Sequence, residues 1–236
     1  MGVVSGQVQQ EGISAARLSR QVLVWAAGFS TLWGALYLAG LAARWLIDGS
    51  PQSPSSPGVD SLSAAVALLW NVSLLILFAA LRRQVPRTRR FFAELALLFI
   101  VLVCATSSVN WFVQLAIMPK LAHAGESPLT ALLDLHNNYS LTYAMEHLGW
   151  GLFYGLAALF AAAAMGGGRL ETWIRWLFLA GGVLSLLHFV GVVAASLVLS
   201  DLGYVAWGVL LPLSTALLLA RYRAEAQAGG KLIVGS

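Results

Sequence analysis

The stretch FFAELALLFIVLVCATSSVNWFVQLAIM, Phe91 to Met118, contains one acidic residue, Glu94, and no basic residue. A helix needs about 20 mostly apolar residues to cross a bilayer, and this run is longer than that. It also lacks the strict apolar-polar alternation that a transmembrane barrel strand would show. The stretch therefore predicts a transmembrane helix, and with it a membrane protein.

The composition of the whole chain agrees with that prediction. Of its 236 residues, 59% are hydrophobic and only 10% are charged, whereas about a quarter of residues are charged in soluble domains. We predict an all-α transmembrane bundle forming a single domain over residues 21–220, with polar tails over 1–20 and 221–236. Its six spans are predicted at 21–47, 62–81, 91–118, 141–165, 174–199 and 202–220.

The basic residues predict the orientation of these spans. Of the 14 Lys and Arg residues, all except Arg44 and Lys120 fall on the side that carries both termini. By the positive-inside rule both termini are cytoplasmic. The basic balance is explained by anionic lipid head groups at the inner surface, so membrane lipid is the expected partner and nucleic acid is not.

The connections between spans differ in character. Residues 48–60 are rich in Pro and Ser and predict an extended loop. Ser127 and Pro128 are a helix-start pair followed by leucines, which predicts a short helix at 128–135 lying on the outer surface. Three glycines at 166–168 should end span 4, and Pro212 should kink span 6.

Function is sought in the polar side chains within the spans, because such residues are costly there and usually mark a site. Glu146 is the most unusual of them, being acidic and inside span 4. At about 1.5 Å per helical residue, the polar groups of five spans fall in the outer half of the membrane. The predicted ligand-binding residues are Glu146, Asn110, Gln114, His188, His147, Asn71, Tyr37 and Trp150.

Each of these residues also has a structural interpretation. The amides can be interhelical hydrogen-bond partners, His188 can be a packed neutral histidine, and His147, about 100° around the helix from Glu146, can reach the outer interface. Glu94 should pair with Arg90, four residues earlier. The tryptophans near predicted span ends suggest interfacial belts: Trp25, Trp45, Trp111, Trp173, Trp176 and Trp207.

Several kinds of chemistry have no signature in the chain. It has no H-E-x-x-H, G-x-S-x-G or C-x-x-C motif and no glycine-rich phosphate loop. Cys104 is its single cysteine, which excludes an intramolecular disulfide and a thiolate metal cluster. We therefore predict no catalytic residue, no metal site and no cofactor.

Three segments carry a resemblance: SSVNWFVQLAIMPKL (107–121), YAMEHLGWGLFYGLAALFAAAAM (143–165) and RLETWIRWLFLAGGVL (169–184). With an Asn-aromatic-x-x-Gln run, a glutamate in span 4 and two arginines before span 5, the chain resembles an uncharacterised family of six-span prokaryotic integral membrane proteins. The resemblance implies this topology and a bacterial or archaeal inner membrane. It implies no activity.

Three functions remain open at this point. The first is the binding or transport of a small, partly polar molecule in an outward-facing cavity anchored by Glu146. The second is a structural or assembly role without a ligand. The third is an intramembrane enzyme acting on a lipid or isoprenoid, with Glu146 and His147 as acid and base.

Overall fold

The structure is a computed structural model that describes residues 2–48, 57–125 and 128–234, and every regular element in these ranges is a helix. The first half contains α1 (Gly2–Asp48), α2 (Pro57–Gln84), a 3₁₀ turn (Arg87–Arg89), α3 (Arg90–Ala116), α4 (Met118–Ala124) and α5 (Pro128–Leu133). The second half contains α6 (Leu141–His147), α7 (Tyr154–Ala164), α8 (Arg169–Val193), α9 (Leu197–Ser200), α10 (Leu202–Val205) and α11 (Leu211–Val234). Two π-helical segments, Leu148–Phe153 and Ala206–Leu210, join α6 to α7 and α10 to α11.

Six helical stretches are long and apolar enough to cross a membrane, which confirms the predicted fold class. Spans 1 to 6 are Leu18–Gly40, Ser61–Gln84, Arg87–Ala124, Leu141–Ala164, Arg169–Val193 and Leu197–Gln227. By helix length and hydropathy, the chain is a multi-span membrane protein. Its spans contact one another in chain order and close into a ring, because span 1 packs against both span 2 and span 6.

The helices differ from the sequence prediction at their ends. α1 begins at Gly2 and α11 continues to Val234, where we predicted tails. α2 begins at Pro57, inside the predicted 48–60 loop, and residues 49–56 lie outside the described ranges. α5 covers Pro128–Leu133, shorter than the predicted 128–135, and its expected cap Ser127 is also outside the described residues.

Span 5 ends earlier than predicted, at Val193 and not at 199. Ala195 has a positive φ of 52°, and the chain turns there into the short helix α9. The turn brings α9 back onto span 5 at Gly191, where an added Cβ would lie 2.5 Å from the backbone nitrogen of Ser200. A glycine at 191 thus permits the close approach that shortens the span.

The two ends of the bundle have different chemistry. One end, here called the arginine end, carries two Arg–Glu pairs. Arg82 binds Glu94 with 2.8 Å between Nη2 and Oε1, and Arg221 is paired with Glu171. Glu94 thus pairs across to span 2, and the expected pairing with Arg90 is wrong. The opposite end, here called the connection end, holds α4 and α5, which lie between α3 and α6 in the chain.

An apolar core fills the bundle between the middle and the arginine end. Leu74, Leu77, Phe78, Phe178 and Leu218 are all at most 2% exposed. The polar residues predicted to form a site lie on the other side of this core, toward the connection end.

Candidate functional site

Glu146 lies near the end of α6 and receives hydrogen bonds from two consecutive residues of span 3. Asn110 Nδ2 donates to Oε2 over 2.7 Å, and Trp111 Nε1 donates to Oε1 over 3.2 Å. Asn110 is fully buried, while Glu146 is partly buried. Both donors are neutral, and no ion pair involves this carboxyl group in the described part of the chain. The site therefore holds an acidic group without a basic partner.

Trp150 lies one helical turn after Glu146 and donates from its indole nitrogen to Ser107 Oγ over 3.2 Å. This bond joins span 4 to the same helix of span 3 that supplies both donors to Glu146. Ser107 precedes Asn110 and Trp111 by three and four residues, so all three lie on one face of span 3. That face forms one wall of the site, and Glu146 with Trp150 forms the opposing wall.

The π-helical segment Leu148–Phe153 shapes the wall on span 4. Its buried glycines allow close packing: a Cβ at Gly149 would lie 2.6 Å from Thr106 Oγ1, and one at Gly151 would lie 2.9 Å from Phe189 Cβ. The hydroxyl of Ser185 in span 5 donates to the Trp150 carbonyl inside this segment. Single-turn π-helical segments occur frequently at functional sites.

His147 faces span 5, away from the partners of Glu146. Its Nδ1 lies 2.8 Å from Nε2 of His188, and Nδ1 of His188 contacts the backbone carbonyl of Ser200. A carbonyl only accepts, so a neutral His188 carries its proton on Nδ1 and accepts at Nε2. His147 then donates from Nδ1, which leaves a lone pair on its own Nε2.

Four aromatic rings from four spans form a closed cycle beside Glu146, which we name the aromatic quartet. Tyr37, Trp70, Trp150 and Trp207 contact one another in that order, with centroids 5.6 Å, 5.6 Å and 6.1 Å apart, and a 5.9 Å contact from Trp207 to Tyr37 closes the cycle. Trp207 belongs to the second π-helical segment, which ends two residues before Pro212. Because proline cannot donate to the carbonyl four residues earlier, regular α-helical bonding is interrupted there.

Some predicted site residues are brought together and others are not. Glu146, Asn110 and Trp150 form one cluster, which Trp150 joins to Tyr37 through the quartet, and His147 binds His188 on the span 5 side. Two predicted residues have partners elsewhere. Gln114 donates to the Leu133 carbonyl over 2.8 Å, and Asn71 donates to Ser108 Oγ over 3.2 Å.

The sequence prediction missed two tryptophans of the site. Trp111 and Trp207 were expected in interfacial belts, yet each is only 8% exposed. The belt interpretation holds better for Trp25, Trp173 and Trp176, which are all more than half exposed. The spacing of Trp111, next to Asn110 and four residues after Ser107, could have placed it on the wall of span 3. No local signal distinguishes Trp207.

Several buried polar atoms in this region have no hydrogen-bond partner. They are Asn110 Oδ1 and Asn71 Oδ1, which accept, and the indole nitrogens of Trp70 and Trp207, which donate. A buried polar group without a partner costs about 1–3 kcal/mol. The described residues contain no group of three or more His, Cys, Asp or Glu placed to hold a metal ion.

No protein family, curated protein or solved structure matches this chain. The resemblance to a six-span prokaryotic family consequently identifies no family for it. What the fold defines is the class, a multi-span membrane protein.

Proposed function

We propose that this membrane protein binds a small, partly polar molecule at Glu146, through a group that donates hydrogen bonds or carries positive charge. One observation carries the proposal: the carboxyl group lies within a span, and its partners Asn110 and Trp111 are both neutral donors. Acidic residues within spans are rare and usually functional. A ligand with a cationic or donor group would supply the charge balance that the neighbouring side chains do not.

The unpartnered acceptor of Asn110 supports the same ligand chemistry. Its Nδ2 is engaged by Glu146, so the amide orientation is fixed and Oδ1 is the atom left over. The two amide atoms are part of one planar group, which keeps this acceptor near the carboxylate. A donor-bearing ligand could bind both groups and recover the cost of the unpaired acceptor, about 1–3 kcal/mol.

The proposal includes the orientation of the protein in the membrane and the route by which the ligand enters. With both termini cytoplasmic, the connection end faces outward and the ligand enters from that side. The apolar core, including Leu77, Phe78 and Phe178, lies between the site and the arginine end. A packed core favours a binding protein or a carrier over an open channel. A bacterial or archaeal inner membrane remains the expected location.

A structural or assembly role is the second candidate, and one observation favours it. Both carboxylate oxygens of Glu146 already have protein donors, as they would if the residue only joined spans 3 and 4. The enzyme hypothesis gains no such support, because Glu146 contacts span 3 while His147 contacts span 5.

A ligand screen by thermal stability distinguishes the first two candidates. The purified protein would be heated with small amines, guanidines, alcohols and neutral isosteres, together with its Glu146→Gln variant. We expect compounds with cationic or donor groups to raise the midpoint of the wild-type protein and not that of the variant, because a ligand that binds only the folded state stabilises it.

Glu94→Gln is the matched control for that screen. It makes the same chemical change in a span, but at the arginine end where Glu94 binds Arg82. This control should respond to ligands as the wild-type protein does. If no compound separates Glu146→Gln from wild type, the binding proposal fails and the structural role takes its place.

A further inference from the structure

We propose that the aromatic quartet recognises an N-methylated ammonium group, so that the ligand of this protein is a small organic cation of the quaternary or tertiary amine class. The inference rests on the proposed binding function and narrows its ligand class. It draws on Tyr37, Trp70, Trp150 and Trp207, of which the binding proposal uses none directly.

The first argument is the geometry of the four rings. They come from spans 1, 2, 4 and 6, and each contacts two others in a closed cycle with centroid separations between 5.6 and 6.1 Å. If the four centroids lay in one plane, the centre would be about 4 Å from each of them, inside the roughly 6 Å over which a ring face attracts a cation, so the packed rings must separate slightly to admit a trimethylammonium group. Neighbouring planes are inclined by 38° to 63°, so the rings do not form a parallel stack.

The second argument is the choice of residues. Three of the four rings are tryptophans, and tryptophan presents the strongest cation-binding face among aromatic side chains. Trp70, Trp150 and Trp207 are between 2% and 8% exposed, so a cation among them would be largely removed from water. Removal from water strengthens the attraction between a ring face and a cation. Aromatic cages of this kind are an established means of recognising choline and methylated lysine.

The third argument is the charge beside the quartet. Trp150 belongs to the cycle and lies one helical turn after Glu146, and its indole nitrogen binds Ser107 in span 3, the span that also donates to Glu146. No Lys or Arg contact to that carboxyl occurs among the ion pairs of the described residues. A cation bound by the rings would therefore lie near an acidic group that lacks a counter-charge.

The methylated class follows from what the rings can offer. Aromatic faces accept no strong hydrogen bonds, so a primary ammonium would leave N–H groups unpaired among them, whereas methyl groups make favourable apolar contacts. The indole nitrogen of Trp70 is a buried donor without a partner. A hydroxyl oxygen near the ammonium group, as in an amino alcohol, would supply the missing acceptor.

The test compares two probes of nearly equal shape. Choline carries a trimethylammonium group, and 3,3-dimethyl-1-butanol carries a neutral tert-butyl group in its place. Binding of each would be measured by isothermal titration calorimetry on the purified full-length protein in lipid nanodiscs. We expect choline to bind and the neutral isostere to bind at least about 10-fold more weakly.

Variants then assign the binding to the rings. Trp150→Leu removes a ring face and should weaken choline binding by about 5- to 30-fold, while Trp150→Phe keeps a face and should lose less. If the leucine variant does not fold, Tyr37→Leu and Tyr37→Phe make the same comparison from span 1. Trp25→Leu is the matched control, since Trp25 is 68% exposed and lies outside the quartet.

The outcomes separate this inference from the proposed function. Equal binding of the two probes, or no choline binding while other compounds still show shifts that depend on Glu146, would overturn the ammonium site and leave the proposed function standing. Absence of any ligand effect in both experiments would remove both proposals. Choline binding that is unchanged in the leucine variants would likewise refute the role of the rings.

Discussion

Gly203 offers a sharp test of the packing beside the histidine pair. An added Cβ at this position would lie 2.6 Å from Nδ1 and 2.7 Å from Cγ of His188, and 2.9 Å from Nε1 of Trp207. Real Cβ atoms essentially never approach other atoms so closely, so Gly203→Ala must displace a ring. Both rings are buried, and His188 is fixed by His147 and by the Ser200 carbonyl.

The expected loss of stability follows from these contacts. Adding a methyl group to a well-packed interior costs about 1–3 kcal/mol. Replacing glycine by alanine in a helix returns up to about 1 kcal/mol. At the middle of these two ranges the net loss is about 1.5 kcal/mol, and at about 2–4 °C per kcal/mol for a chain of this size the midpoint should fall by about 3–6 °C.

Gly40→Ala is the matched control, because no atom lies within 4 Å of a Cβ added at Gly40 in α1. Thermal unfolding of the wild-type protein and both variants would be followed in the same detergent at one scan rate. We expect Gly203→Ala to melt earlier and Gly40→Ala to melt at or slightly above the wild-type midpoint. If Gly203→Ala is as stable as Gly40→Ala, the close packing of His188, Trp207 and Gly203 is refuted.

Three further predictions concern other parts of the bundle. Glu171→Gln weakens a mostly buried pairing with Arg221 and should lower the free energy of unfolding by about 1.5–3 kcal/mol. Glu94→Gln weakens a pair with Arg82 whose side chains are 42% and 41% exposed, and it should lower that free energy by less than about 1 kcal/mol. Equal midpoints of the two variants in thermal unfolding would contradict this difference. His188→Leu leaves His147 Nδ1 and the Ser200 carbonyl without a partner, at about 1–3 kcal/mol each. At roughly 2–4 °C per kcal/mol, a midpoint within 1 °C of wild type would argue against the hydrogen bonds that join His147, His188 and Ser200. Cys104 is 8% exposed, so a maleimide should label it only after denaturation, and fast labelling of the folded protein, read by mass spectrometry, would show that span 3 packs differently.

The fold was predictable because each span carries its own signal. A bilayer requires about 20 apolar residues in a helix, so length and composition were enough to find the six spans. The ends of the helices were harder. The turn that shortens span 5 depends on the contact between Gly191 and α9, which is tertiary and leaves no periodic pattern in the sequence.

The candidate site was predictable in part. An acidic residue in a span stands out by residue type alone, and Asn110, which binds Glu146, was among the residues predicted for the same site. The destinations of Gln114 and Asn71 depend on how each helix is rotated, which the sequence does not specify. Trp207 was misassigned because it lies near a predicted span end, which suggested an interfacial position. The π-helical segment instead directs its side chain into the bundle.

The most direct test of the central claim is native mass spectrometry of the gently solubilised protein beside its Glu146→Gln variant. A small molecule bound at Glu146 should appear as an additional non-protein mass on the wild-type protein, should be absent from Glu146→Gln, and should persist on Glu94→Gln. A bare protein in all three samples, with equal stability to heat, would contradict the account and would make Glu146 a packing residue that joins spans 3 and 4.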